Sequence, residues 1–183
     1  MAENDNPTKP DSQPETTPPA KPEQPTETKP ETTTEAKPDN GQTPNYGTSY
    51  KIVNDNCITG INPGTTANTL KSKFTLTNCS IEVYKEDGKT KVTDKVGTGN
   101  KVVITDKSGK ILKEYSCLIY GDVNGDGILN IVDILSQKRD ILEIKKLDGV
   151  KRQAADVNKD GNINIVDILL IKRDILEIAK IIQ

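Results

Sequence analysis

The sequence predicts an α+β chain made of three parts. Three observations support this: proline and threonine dominate residues 1–45, short β-branched runs separated by turn residues fill residues 46–120, and one loop–helix unit occurs twice within residues 121–183. We therefore expect a disordered linker, a small, mainly β module and an all-α module with two repeats. Each module is long enough for a small core and too short for a large one.

Residues 1–45 have the composition of a linker. They contain ten of the eleven prolines of the chain and no leucine, isoleucine, valine or aromatic residue. Because such a segment cannot bury enough apolar surface to offset its chain entropy, we expect a disordered, fairly extended Pro/Thr linker. It either separates the folded part from something upstream or is a tail without a function of its own.

Residues 46–120 predict a β module. The runs YKIV, CITGI, SIEVY, KVVI and ILKEYSCLIY are rich in β-branched and aromatic residues. The dipeptides DG at 87–88 and SG at 108–109 are typical of hairpin turns, and a short helix is expected over 66–74. We interpret this part as an Ig-like sandwich whose last strand continues directly into Gly121.

The C-terminal part contains the pattern DxNxDGxxNxxD twice. In an EF-hand-type loop, side chains at positions 1, 3, 5, 9 and 12 and a backbone carbonyl at position 7 bind the ion, and glycine at position 6 permits the sharp turn. The predicted ligands are Asp122, Asn124, Asp126, Ile128 (carbonyl), Asn130 and Asp133 in the first loop, and Asp156, Asn158, Asp160, Asn162 (carbonyl), Asn164 and Asp167 in the second. Because every ligand is a hard oxygen donor, the pattern favours two Ca²⁺ ions over zinc, copper or iron. The alternative is a pair of ordinary turns with solvated acids.

The repeat extends beyond the loops. Residues 121–144 and 155–178 are identical at 18 of 24 aligned positions. Isoleucines at a helical period follow each loop and predict a buried stripe; they are Ile134, Ile141 and Ile144, and then Ile168, Ile171, Ile175 and Ile178. A strand-like run precedes the first loop, and VKRQAA, which is long enough for a short turn of helix only, precedes the second. Each unit is therefore a loop with an exiting helix, or half an EF-hand.

The segments GDVNGDGILNIVDILSQKRDIL and ADVNKDGNINIVDILLIKRDIL resemble the duplicated segments of type I dockerins. The resemblance implies calcium-dependent docking to a cohesin module of a scaffoldin or cell-surface protein, in an extracellular cellulosome-like complex that degrades polysaccharides. It also implies that the β part, joined to Gly121 without a linker, is similar to the X modules that support a neighbouring dockerin. Ile-Val pairs occupy loop positions 10 and 11, where many dockerins carry small polar pairs, so the resemblance does not specify the cohesin class.

Helical geometry groups the Ile-Val pairs with two Lys-Arg pairs. Lys138 follows Ile131 by seven residues and Arg139 follows Val132 by seven, so all four project from one face. The resemblance places the cohesin contacts there. The predicted partner-binding residues are Ile131, Val132, Leu135, Lys138, Arg139 and Leu142 in the first repeat, and Ile165, Val166, Leu169, Lys172, Arg173 and Leu176 in the second. The alternative is that the apolar members pack internally and the Lys-Arg pairs are only solvated.

Composition argues against several other functions. The chain has no histidine, which excludes Ser-His and Cys-His nucleophile pairs, and no tryptophan platform beside its few β-part acids for glycoside hydrolysis. A net charge of -2, with basic and acidic residues interspersed, argues against nucleic-acid binding. We expect a non-catalytic module that is monomeric when free. The competing interpretations are an EF-hand-type calcium sensor or buffer and an extracellular structural spacer.

The sequence also suggests a location. It contains neither an apolar signal-peptide core nor a run long enough to span a membrane. The Pro/Thr linker and the calcium loops favour the C-terminal part of a longer secreted protein, held at the cell surface through a cohesin; cytosolic residence is the alternative. Three cysteines, Cys57, Cys79 and Cys117, leave one disulfide open, but resemblance to proteins of anaerobes favours free buried thiols.

Overall fold

A computed structural model describes residues 43–183. These residues belong to one compact unit. The predicted linker at 1–45 lies outside the described residues except for its last three positions, and the first strand begins at Asn45.

Strands and one short helix form the β part. They are β1 (Asn45–Thr48), β2 (Lys51–Val53), β3 (Cys57–Thr59), α1 (Ala67–Lys71), β4 (Phe74–Thr77), β5 (Cys79–Tyr84), β6 (Lys101–Asp106) and β7 (Ile111–Cys117). Five strands pair in the order β2-β3-β7-β6-β5, and β1 pairs with β4. Every pairing is antiparallel except that of β3 with β7. The mainly β expectation is confirmed, whereas sheets of five and two strands with a parallel pair differ from the two antiparallel sheets of an Ig sandwich.

Local sequence explains most of these elements. The five predicted runs coincide with or overlap β2, β3, β5, β6 and β7, and helix α1 begins after its N-cap Thr66. Both predicted turns form: the Asp106 carboxylate accepts hydrogen bonds from the backbone N–H groups of Ser108 and Lys110, and Asp87 accepts them from the two residues that follow its glycine. Side chains from α1 and from the five-stranded sheet, such as Leu70, Val102 and Ile104, form the core of the β part.

Three helices form the C-terminal part, which has no strand after residue 117. They are α2 (Ile131–Ile141), α3 (Gly149–Ala155) and α4 (Ile165–Ile175), and α2 packs against α4. Strand β7 precedes the first loop and the seven-residue α3 precedes the second, as the sequence predicts. Loop positions 9 and 12 also start each long helix, because Asn130 with Asp133, and Asn164 with Asp167, form capping boxes.

The predicted isoleucine stripe is partly wrong. Ile141, Ile144 and Ile178 are exposed, while Ile171 is fully buried. The buried apolar cluster of this part consists of Val123, Ala155, Val157 and Ile171, with partly buried neighbours around it.

Polar side chains occupy much of the buried face of α2 instead. Asp133, Gln137 and Asp140 of α2 are buried at helical spacing. Their polar atoms bind backbone groups: Gln137 Nε2 donates to the Ala155 carbonyl at 2.6 Å, and Asp140 accepts from Leu147 N–H at 2.7 Å. Burial of these polar groups is tolerated because most of them are hydrogen-bonded, although Gln137 Oε1 has no partner among the described residues.

All three cysteines are free thiols, as expected; Cys57 and Cys117 are buried, and Cys79 is partly exposed. Within residues 43–183, no helix is both long and apolar enough to cross a bilayer.

Candidate metal centre and exposed helix face

Asp122, at position 1 of the first loop, lies at the centre of a hydrogen-bond network. Its Oδ1 accepts from Gly125 N–H at 3.0 Å, and its Oδ2 accepts from Gly127 N–H at 3.2 Å and from Thr98 N–H at 2.7 Å. The side chain has no solvent exposure. The loop therefore wraps around this carboxylate, and one of its donors comes from the β part.

The remaining loop residues are shaped by the same kind of bond. The side-chain oxygens of Asn124 and Asp126 each accept from the backbone N–H two residues later, at 2.8 Å in both cases. Asp133, at position 12, closes the loop: its Oδ1 accepts from Val123 N–H at 2.9 Å and its Oδ2 from Asn130 N–H at 2.9 Å. These bonds fold the chain into one short loop around the side chains of Asp122, Asn124, Asp126 and Asp133.

The second loop repeats this network. Asp156 accepts from Asp160 N–H at 3.1 Å and from Gly161 N–H at 2.9 Å. Asp167 accepts from Val157 N–H at 2.9 Å and from Asn164 N–H at 3.0 Å. The repeated sequence thus produces two loops with similar internal bonds, which differ in that Asp122 accepts from the fourth loop residue, Gly125, and Asp156 from the fifth, Asp160.

The loop acids lack compensating positive charge. In the described part of the chain, every ion pair involves other acids, so none of the six loop aspartates pairs with Lys or Arg. Burial raises the pKa of Asp122, and it raises the pKa of Asp133 to about 6. In the exposed second loop, the hydrogen bond from Asn162 N–H lowers the pKa of Asp160. Buried carboxylates without a counter-charge are costly, and a divalent cation supplies that charge.

The donor set fits calcium. Carboxylates, carboxamides and backbone carbonyls are hard oxygen donors, which Ca²⁺ prefers at a coordination number of six to eight. Among residues 43–183 no three Asp, Glu, His or Cys side chains form a metal-binding group by themselves. A cation would therefore depend on Asn124, Asn130 and their counterparts Asn158 and Asn164 together with the aspartates. This mixed set matches the hard-cation preference and lacks the sulfur and imidazole ligands of zinc sites.

Both long helices expose apolar side chains. The eight apolar residues of the predicted partner face are all solvent-exposed: Ile131, Val132, Leu135, Leu142, Ile165, Val166, Leu169 and Leu176. The two copies match, since Ile131 is 69% exposed and Ile165 is 63% exposed. Lys138, Arg139, Lys172 and Arg173 are exposed as well. This exposure contradicts the alternative interpretation, in which these apolar residues pack internally.

Sequence reasoning missed Thr98 and Gly97, which lie between β5 and β6 and contact the first loop. Gly97 has no room for a side chain, because a Cβ there would lie 2.0 Å from the carbonyl oxygen of Gly125. The only sequence signal at this point is the short run GTGN at 97–100, which is typical of an ordinary turn.

Comparison with known proteins finds one family that part of the chain matches. Residues 120–176 match the family model of the dockerin type I domain. The match spans both loops and both exiting helices and supports a type I dockerin there; dockerins are non-catalytic modules that bind calcium and cohesins. No curated protein and no solved structure matches the chain.

Proposed function

We propose that residues 121–183 bind two calcium ions and dock the parent protein onto a cohesin module outside the cell, within a polysaccharide-degrading assembly. The chain's own role in this proposal is non-catalytic adhesion. The family match at 120–176 supports the partner class, and the twelve predicted loop ligands support the ion. The β part, which is similar in position to an X module, supports the dockerin-like part.

The exposed helix face carries the proposal. Helices α2 and α4 bury polar residues such as Asp133 and Asp167 while they expose isoleucine, valine and leucine. A monomer gains nothing from this arrangement, because exposed apolar side chains lose the free energy of burial. Contiguous apolar surface rimmed by polar residues is typical of a protein interface.

The basic rim adds orientation. Lys138 and Arg139 on α2, and Lys172 and Arg173 on α4, lie about two helical turns after the Ile-Val pairs and are exposed. Charges at the edge of an interface mainly steer association and set register. An acidic partner surface opposite these residues is therefore expected.

The duplication presents this face twice. The two copies agree in sequence at 18 of 24 positions and in the exposure of their apolar residues. A two-fold rotation of the helical part would therefore offer almost the same surface to one cohesin. We propose two nearly isoenergetic binding orientations. The helices differ at Ser136 and Gln137 against Leu170 and Ile171, but Gln137 and Ile171 are buried, so the partly exposed pair Ser136 and Leu170 sets any preference.

The test is calorimetric titration of the full chain against a panel of cohesins, with calcium and then with chelator. Binding to at least one cohesin in calcium, and its loss in chelator, is the expected result. Calcium binding without any cohesin partner would instead favour the structural spacer. A calcium sensor is disfavoured because strand β7, and not an entering helix, precedes the first loop.

Alanine variants test the two orientations. Replacing Lys138 and Arg139 should cost little affinity, because the module can turn and present the other helix. Replacing Lys172 and Arg173 as well should cost far more than the sum of the two separate losses. Simple additivity would reject two orientations and leave cohesin binding intact.

The matched control is alanine at Lys145 and Lys146. These exposed residues follow α2, and their replacement removes the same charge without touching the proposed face. An equal loss of affinity in this control would assign the effect to overall charge.

A further inference from the structure

A segment of the β part lies directly against the backbone of the first loop. A Cβ on Gly127 would lie 2.4 Å from the Val96 carbonyl oxygen, and one on Gly125 would lie 2.5 Å from that of Thr98. Glycine on both sides of the contact, at Gly97 as well as in the loop, lets the two backbones approach this closely. This close contact therefore requires glycine at positions 97, 125 and 127.

We propose that this segment is part of the first metal site, with Thr98 as a positioning residue for Asp122. Calcium binding in the first loop then depends on this segment of the β part, whereas binding in the second loop does not. The inference rests on the proposed calcium loops. It adds a difference in calcium binding between the two loops that their sequences do not show.

The β part holds Thr98 in place. Its Oγ1 donates to the Ile119 carbonyl at 3.1 Å and accepts from Ile119 N–H at 3.2 Å. On one side the Asn100 side chain accepts from Gly97 N–H at 2.9 Å, and on the other the Cys117 carbonyl accepts from Gly99 N–H at 2.9 Å. Thr98 is 1% exposed. Its N–H is consequently aimed at Asp122 Oδ2 by contacts that lie outside the loop.

Among the described residues, the second loop has no such donor from the β part. Its Lys159 ammonium lies 4.1 Å from the centre of the Tyr120 ring, but this contact supplies no donor to Asp156. The donors to Asp156 belong to the loop itself, namely Asp160 N–H and Gly161 N–H. A Cβ on Gly161 would meet no atom within 4 Å, while the equivalent Gly127 meets the β part. Asp156 is also partly exposed, and Asp122 is fully buried. The same loop sequence thus stands in two different surroundings.

A fixed donor favours ion binding because it restricts the rotation of the ligand carboxylate, so less freedom is lost when the ion binds. Hydrogen bonds to charged groups are among the stronger ones in proteins, and losing this one should weaken calcium binding about tenfold or more.

The test compares two glycine variants of the full chain. Gly97→Ala pushes a methyl group into the Gly125 carbonyl, whereas Gly47→Ala in β1 places it where no atom lies within 4 Å. Both glycines lack the positive φ that would strain alanine. The two variants thus make the same chemical change in the β part and differ in contact with the loop.

Calcium affinity is measured by calorimetry with one loop disabled at a time. With the second loop disabled by Asp156→Ala, Gly97→Ala should weaken binding about tenfold or more and Gly47→Ala should leave it unchanged. With the first loop disabled by Asp122→Ala, neither variant should change the affinity. An equal loss in both loops, or no loss in the first, would overturn the inference.

Thr98 variants give an independent test. Thr98→Val removes both bonds to Ile119 at similar volume, and Thr98→Ser keeps them, so serine should restore the first-loop affinity that valine loses.

Hydrogen exchange of the Thr98 amide needs no change in the β part. Its protection should rise with calcium in the wild type and in Asp156→Ala, and stay flat in Asp122→Ala. A flat response in a wild type that binds two ions would reject the inference alone, whereas a wild type that binds no calcium would reject the proposed function as well.

Discussion

Removing calcium should destabilise the helical part of this protein severely. Its buried apolar cluster has four residues, compared with thirteen in the cluster of the β part. Three loop aspartates, Asp122, Asp133 and Asp167, have no solvent exposure and no basic partner among the described residues. A small core that also holds uncompensated carboxylates depends on a cation for its stability.

The size of the effect follows from linkage. A ligand that binds only the folded state adds RT ln(1 + [L]/Kd), about 4 kcal/mol per site at a thousandfold excess over Kd. Two sites then contribute about 8 kcal/mol, which is comparable with the whole stability of an ordinary domain, roughly 5–15 kcal/mol. At about 2–4 °C per kcal/mol for a chain of this size, chelation should lower the melting temperature by roughly 15–30 °C.

Scanning calorimetry and circular dichroism, with calcium and with chelator, measure this change. Asp122→Ala and Asp156→Ala should each remove about half of the calcium-dependent stabilisation, because each disables one loop. Asp148→Ala is the matched control: this aspartate is exposed, lies outside both loops and makes no side-chain cap bond to α3.

An unchanged melting profile after chelation would refute the reasoning. So would an Asp148→Ala variant that loses as much calcium-dependent stability as the loop variants, since the effect would then follow overall charge and not the sites.

Three further predictions concern pH, the C-terminal residue and the junction between the two parts. Burial raises the pKa of Asp133 to about 6 in the folded protein without calcium, whereas the same side chain has a pKa of about 3.8 in the unfolded chain. In chelator, the melting temperature should therefore fall as pH rises from about 4 to 7, while with calcium, which binds the ionised carboxylate, it should rise. Parallel trends in the two calorimetric series would contradict this. Gln183→Ala should cost about 1–2 kcal/mol in urea unfolding, because its side chain both donates to and accepts from the Tyr120 backbone; no change would show that these bonds are not formed in solution. Limited proteolysis in calcium should find no cleavage at 117–123, and early cutting there would indicate two independent modules.

The conformation of the two loops was predictable because its determinants are local. Ligand spacing, the glycine at position 6 and the Asn-Asp capping boxes all lie within twelve consecutive residues. Strands β1 and β4 were missed for the opposite reason. Their sequences, NYGT and FTLT, are short, and they form a ribbon with each other across the intervening chain.

The interior of the helices could not be predicted from apolar periodicity. Ile141 and Gln137 are both candidates for an inward position by spacing, yet Gln137 is buried and Ile141 is exposed. The capping box fixes the rotation of α2, because Asp133 must point back into the loop. Residues one and two turns later on the same side, Gln137 and Asp140, are then carried inside whatever their polarity.

The contact of Thr98 with Asp122 could not be predicted from a single sequence. Its bond to Asp122 joins residues 24 positions apart and uses a backbone N–H, which every residue except proline possesses. The surroundings of the two loops therefore follow from tertiary packing, and their sequences follow from duplication.

Symmetry is kept on the exposed helix faces, where a partner could use either copy. It is broken at the loops, where the β part donates a hydrogen bond to the position-1 aspartate of the first copy, whereas the donors to that of the second copy belong to its own loop. Since calcium and the β part both act on Asp122, each should strengthen the contact of the other by the same factor. A partner that binds the helix face would then meet a dockerin-like part whose first loop acts as one unit with the β part.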